Sequence, residues 1–235
     1  MTKSRTLFVI ENEANSTHYW KRMDMKRIIY ILIMVLMPVM AVAQTRHGGT
    51  IYRLGNGEYC AAVKTDYFID YVATQQEENW CWAACIEMVL HYQGVSVSQD
   101  DIVRRVFGYA ADRGGTIYDI IKGADGLVTG NGTVIRAKGE SPSRKSKISF
   151  IDDLAKRYPL IVGLSMPGQT VGHAFVMTGI VFTTDASGHQ VYPRRVILRN
   201  PRPYRKGQKT ADREELSWSD FISRVHTIVH IYPSY

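Results

Sequence analysis

The chain has 235 residues, of which 45% are apolar and 22% charged, with 19 Gly and 8 Pro. That composition excludes a low-complexity or repeat protein and suits a single domain with leader segments around one core. The net charge of +7 falls to +4 once residues 1–43 are set aside, and the remaining basic positions are too scattered for a nucleic-acid-binding surface.

Residues 1–24 are polar and patternless, as expected of a doubtful leader ahead of a later start at Met25. Met25-Lys26-Arg27 then opens an apolar run from Ile28 to Ala43 that ends in Ala41-Val42-Ala43, the pattern of a secretory signal peptide over 25–43. The run of sixteen residues is shorter than the roughly 20 that a membrane span needs. The expectation is therefore a secreted or periplasmic protein with no stable membrane span after cleavage. Residues 44–71 read as an amino-terminal arm with strand-like runs at Glu58–Lys64 and Tyr67–Val72, and residues 72–235 as the domain proper.

Gln75-Gln76-Glu77-Glu78-Asn79-Trp80-Cys81-Trp82-Ala83-Ala84-Cys85 is the stretch around which the domain is organised. Trp82 to Tyr92 holds no Gly or Pro, and apolar side chains at 85, 88, 89 and 92 have helical spacing. Cys81 then lies on the first turn of a buried helix, where free backbone N–H groups and the helix dipole favour a thiolate. Gln75, six residues upstream, offers an amide donor for an oxyanion beside the backbone N–H of Cys81.

The helix should end at Gly94. Ser98-Gln-Asp-Asp101 and Thr116-Ile-Tyr-Asp119 read as helix caps with an acidic third residue, and Ser149-Phe-Ile-Asp152 opens a further helix through Tyr158. Gly114-Gly115 and Gly126–Gly132 are loops that would border a cleft. After Pro159 the pattern changes to strands at 160–165, 174–182, 191 and 195–199, with a turn at Asp185–Gly188. Ser217-Trp-Ser-Asp220 caps a short helix, and Thr227–Tyr232 closes the chain as a strand. Helices first and an antiparallel sheet second predict an α+β fold with the cleft between the two parts.

A thiolate nucleophile needs a base, and the chain has seven histidines. His18 lies in the leader, His47 follows the cleavage site, and His91 lies roughly 15 Å from Cys81 along the same helix. His189 sits in a hairpin tip, and His226 and His230 belong to the final strand, where solvent or sheet packing accounts for them. His173 remains, delivered by the loop Met166–Gly172 to the start of an apolar strand. Asn200 ends the neighbouring strand before Pro201, in position to orient the imidazole, and Asp185 falls at the wrong hairpin end.

The Gln75 to Cys81-Trp82 spacing and Gly172-His173-Ala174 together resemble the papain-like cysteine peptidase superfamily. The stretch Gln75–Tyr92 is most similar to the compact bacterial branch of avirulence-effector and bacteriocin-processing peptidases. Papain has Cys-Gly-Ser-Cys-Trp, whereas here Asn79-Trp80 precede the nucleophile, with no disulfide-forming Cys among them. The separations of 92 residues from Cys81 to His173 and 27 from His173 to Asn200 are shorter than full papain and favour that branch. The resemblance implies a papain-like fold, its helical first lobe carrying the nucleophile and its antiparallel second lobe carrying the His and Asn. It implies a peptide or protein substrate, hydrolysis through Cys81, His173 and Asn200, and an oxyanion hole including Gln75. An odd cysteine count leaves one thiol over, and a Cys60–Cys85 disulfide, or two buried reduced thiols, would leave Cys81 free.

No cofactor is expected: His-Glu-x-x-His is absent, and Cys81 with Cys85 lacks a second ligand pair at zinc spacing. The basic loop Arg202–Lys209 reads as solvated rather than as a nucleic-acid arm. The alternatives are a transglutaminase, deamidase or peptidoglycan amidase on the same scaffold, or an inactive binding relative.

Overall fold

Eight of the twelve residues of helix α1 (Cys81–Tyr92) are buried, so this helix is apolar on nearly all sides and has to sit inside the molecule. The structure is a computed structural model and describes residues 51–63, 68–143, 146–168, 172–202 and 212–234, all within one unit, Gly49–Tyr235. The leader 1–24, the signal peptide 25–43, residues 44–50 of the arm and most of the 202–209 loop lie outside the described residues. Among the described residues no helix is long and apolar enough to cross a membrane.

Helix α1 ends before Gly94, whose φ of 86° continues the chain in the left-handed region. Helices α2 (Gln99–Phe107) and α3 (Ile117–Ala124) pack against it. Both begin with a complete capping box, Ser98 with Asp101 and Thr116 with Asp119, as the sequence predicts. Helix α4 (Ser146–Ala155) starts three residues earlier than expected from Ser149. The Ser149 hydroxyl, now inside the helix, donates to Glu140 Oε2 at 2.9 Å, a partner distant in sequence. Helix α5 (Trp218–Arg224) is capped by Ser217, which accepts from the Asp220 N–H.

The strands β1 (Ile51–Arg53), β2 (Tyr59–Ala62), β3 (Val134–Glu140), β4 (Leu160–Leu164), β5 (His173–Thr184), β6 (Val191–Asn200), β7 (Asp212–Ser217) and β8 (Val225–Ser234) form one antiparallel sheet. β5 is its axis. One edge of β5 pairs with β4 along its first half and β2 along its second, and the other pairs with β6, which carries β7. β8 bridges β4 to β3. The architecture is the expected α+β, with Cys81 on a helix and both His173 and Asn200 on the sheet.

The sheet takes more of the chain than the sequence pattern suggests. β1 and β2 precede the helices, and β3 lies in a half read as helical. Its Arg136 and Lys138 alternate with Ile135 and Ala137, as befits a strand with one face toward α3. In the run read as strand at 67–72, the described residues form no strand: Ile69–Tyr71 is a 3-10 turn beside α1. All three cysteines are free. The Cys60–Cys85 disulfide is not formed because Cys85 lies in the main core, whereas Cys60 packs with Ala62 and Val181 in a separate cluster. Alternation along β2 puts Ala61 in the main core and Cys60 on the opposite face.

His230 of β8 ties three elements together. Its buried ring meets Asp153 of α4 through Nδ1 at 2.5 Å and Glu140 of β3 through Nε2 at 2.9 Å. Burial alone would lower its basicity, but the two carboxylates outweigh burial and raise it. A value raised on folding contributes stability that is complete below the ordinary imidazole value of about 6.5 and is lost as pH rises through the folded value. We expect His230→Gln to lower Tm more at pH 6 than at pH 9 in thermal unfolding. Equal losses at both pH values would rule out the charged pin.

Candidate active site

Cys81 occupies the first position of α1 behind Trp80, which offers no side-chain cap, so the helix mouth is left to the cysteine. Three interactions hold the segment entering the helix. Trp80 Nε1 donates to the Ala111 carbonyl at 2.8 Å, the Asn79 N–H donates to Asp112 Oδ1 at 2.8 Å, and Gln75 N–H donates to the Pro201 carbonyl at 2.8 Å. The last bond joins this segment to the chain directly after Asn200. Buried Gln99 braces it from α2, accepting from Gln76 N–H at 2.9 Å and donating to the Thr74 carbonyl at 3.0 Å.

His173 begins β5 and Asn200 ends β6, and the antiparallel pairing brings these two ends together. His173 Nε2 and Asn200 Oδ1 are 2.7 Å apart in a buried contact. The surroundings of Asn200 determine the tautomer. Its Nδ2 donates to the carboxylate of Glu214 at 2.6 Å, and its Oδ1 accepts from the Arg202 N–H at 2.9 Å, so the amide oxygen is the atom facing the ring. His173 must then donate its Nε2 proton, which leaves Nδ1 as an acceptor. Phe175 packs edge-on against the ring at 4.9 Å.

Cys81 and His173 line the same cleft, of about 340 Å³. The backbone N–H of Ala174, the residue after His173, lies close enough to the Cys81 sulfur to favour its thiolate. The helix-side wall is Trp82 with Gly114 and Gly115, and the sheet-side wall includes Gly163, Gly172, His226 and Thr227. Gly115 has no room for a side chain beside the buried Trp82, and a side chain on Gly172 would have to displace the exposed His226 ring. A Cβ on Gly115 would stand 2.5 Å from Trp82 Cδ2, and one on Gly172 would stand 2.5 Å from His226 Nε2.

The protonation state of the thiol differs from the expectation at a helix mouth. Burial pushes the Cys81 thiol up, outweighing the N–H groups of Ala174, Trp82 and Cys81 itself and the field of Arg202. Burial also pushes His173 down and Arg202 adds to this, against the Asn200 hydrogen bond and the charge of Glu214. Both shifts favour a neutral thiol and a neutral imidazole over an ion pair. Cys85, one turn deeper and fully buried, has its thiol raised well above the ordinary value and is packing.

The Gln75 side chain sits differently from the expectation. Its Nε2 donates to the carbonyls of Glu77 at 2.9 Å and Glu78 at 2.6 Å, so both hydrogens serve the turn ahead of α1 and none projects into the cleft. Its Oε1 is buried without a partner. Of the loops read as cleft borders, Gly114-Gly115 lines the cleft, whereas Gly130 lines a separate depression with Tyr71 and Tyr158.

Sequence reasoning missed Glu78, Asn79, Arg202, His226 and Thr227 in the cleft and Glu214 behind Asn200. Only Arg202 carried a signal, its place two residues after Asn200. His226, read as explained by solvent or sheet packing, has an exposed ring that also stands at the cleft against Gly163 and Gly172, with Nδ1 2.9 Å from Thr227 Oγ1.

A model of the Peptidase_C39-like family matches residues 68–224, a span that holds Cys81, His173, Asn200 and Gln75. The chain belongs to this family. It is thereby a member of the papain-like cysteine peptidase superfamily, and the α+β arrangement of one buried helix against an antiparallel sheet accords with that membership. Among solved structures it is similar to the peptidase domain of Streptococcus ComA, a bi-functional ABC transporter involved in a quorum sensing pathway. The identity is 18%, the TM-score 0.49, and the match covers 69% of this chain and 98% of that domain. No curated protein matches the sequence.

Proposed function

We propose that this C39-like family member is an exported enzyme that hydrolyses peptide bonds with Cys81 as nucleophile, His173 as base and Asn200 as the residue that orients the imidazole. The observation that carries the reading is the His173 Nε2 to Asn200 Oδ1 bond of 2.7 Å at the cleft that Cys81 enters from a helix mouth. Export rests on the Met25–Ala43 pattern and bacterial origin on the resemblance to the compact branch.

In this reading the Cys81 proton passes to His173 Nδ1 as the sulfur attacks the substrate carbonyl. The Nε2 proton stays on the ring, donated to Asn200 Oδ1, and the imidazolium that forms is met by Asn200 and the charge of Glu214 behind it. The backbone N–H of Cys81 faces the developing oxyanion, with Gln75 as a second donor once its amide leaves the turn at 77–78. His173 then protonates the departing amine. Water, deprotonated by the same ring, attacks the thioester and releases the acid with the thiol restored.

The pH dependence follows from the two shifts. The reactive form carries one proton shared by Cys81 and His173, and the two limbs of the profile belong to the pair jointly. With His173 lowered and Cys81 raised, the plateau of kcat/KM should extend beyond the interval from about 6.5 to about 8.5 set by the ordinary values. Initial rates on a denatured casein digest from pH 4 to 10 at constant ionic strength test this. A narrow bell inside that interval would refute the assignment of Cys81 and His173 as the titrating pair.

A further inference from the structure

Arg202 is exposed and lines the cleft with Cys81 and His173. Its backbone is fixed at the centre of the site, since its N–H donates to Asn200 Oδ1 at 2.9 Å. Its charge reaches both reacting groups, lowering the thiol and the imidazole alike. Among the described residues no carboxylate forms an ion pair with it, although Glu78 lines the same cleft and Glu214 lies behind Asn200. An unpaired cation here has a definite consequence. It favours a thiolate, but it opposes the imidazolium that must form in the same step. A substrate carboxylate lying against the guanidinium would neutralise this field at both groups and give the cation a partner of matching geometry.

We propose that Arg202 is a substrate-binding residue that selects peptides carrying a carboxylate, from an acidic side chain or a free chain terminus, next to the bond to be cleaved. The guanidinium is a permanent cation with paired donors that match a carboxylate, so the preference persists across the working pH range. The inference rests on the reading of Cys81 and His173 as the reacting pair.

Two measurements test it. The first compares alkylation of Cys81 by iodoacetate and by iodoacetamide at one pH, so that the thiolate fraction cancels in the ratio. The anionic to neutral rate ratio should fall by about tenfold in Arg202→Gln and be retained in Arg202→Lys. The second compares kcat/KM for peptides differing only by Glu or Gln at each position around a cleavage site, each with a free or amidated carboxyl terminus. The wild type should prefer one carboxylate source by about tenfold, and Arg202→Gln should remove that preference. Internal Glu peptides and free-terminus peptides identify which source is used. If Cys81 is alkylated and peptides are cleaved but Arg202→Gln leaves either ratio unchanged, the inference falls and the peptidase reading stands. If neither reagent modifies Cys81, the peptidase reading fails and the inference with it.

Discussion

Cys81→Ser is expected to reduce kcat/KM on denatured casein by on the order of 10⁴-fold or more, the effect of removing a nucleophile that works as one unit with its base. A serine hydroxyl holds its proton far more tightly than a thiol. His173, whose basicity burial has already lowered, is too weak a base to take it. His173→Ala should cost a similar factor, and the double variant little more than either alone, because each removes the same proton-transfer step. Alkylation by iodoacetamide at neutral pH should disappear with Cys81→Ser although Cys60 and Cys85 remain, since both are buried. Retained cleavage by Cys81→Ser, with an unchanged circular dichroism spectrum, would transfer the activity to another group and dispose of the proposed mechanism.

Trp82→Ala is expected to have the largest effect on stability, about 3–5 kcal/mol, through the loss of a fully buried indole and the void left behind. Trp82 is 1% exposed, packs edge-on against Phe107 at 5.8 Å, and donates from Nε1 to the Arg113 carbonyl at 3.1 Å. Its ring also fills the space that a side chain on residue 115 would need. The indole therefore holds the 113–115 loop against α1, and removing it frees one wall of the cleft. For a domain of this size each kcal/mol lowers Tm by roughly 2–4 °C, so thermal unfolding should show a drop of roughly 6–20 °C. Trp82→Phe keeps most of the apolar area and should recover more than half of the loss. A drop of under 2 °C for Trp82→Ala would show that the loop is held by something else.

The parts of the fold legible in the residues are those that depend on near neighbours. The apolar spacing of α1, the capping boxes at Ser98 and Thr116 and the turn at Asp185–Gly188 are all settled within a few positions, and the structure has each of them. Edge strands are less visible. β7 reads Asp-Arg-Glu-Glu-Leu-Ser, with Leu216 as its one apolar residue, because among the described residues it pairs with β6 alone and exposure along 213–217 alternates between full and partial. Ser149 shows the same limit from the other side: a good capping residue is taken over by Glu140, a partner no local pattern discloses.

The candidate site divides along the same line. Sequence alone determined that a cysteine opens a buried helix, that one histidine begins an apolar strand and that an asparagine ends a neighbouring one, since residue type and periodicity suffice for that. Only the tertiary structure decided what those groups are in their surroundings. Glu214 and the Arg202 N–H orient the Asn200 amide and so assign the His173 tautomer, burial outweighs the helix mouth at Cys81, and the turn at 77–78 takes the Gln75 amide. Hydrogen-bond orientation, desolvation and field are properties of everything within a few ångströms, whatever its distance along the chain. Packing had to bring β7, β8 and the end of β6 to the mouth of α1 before any of them had a value.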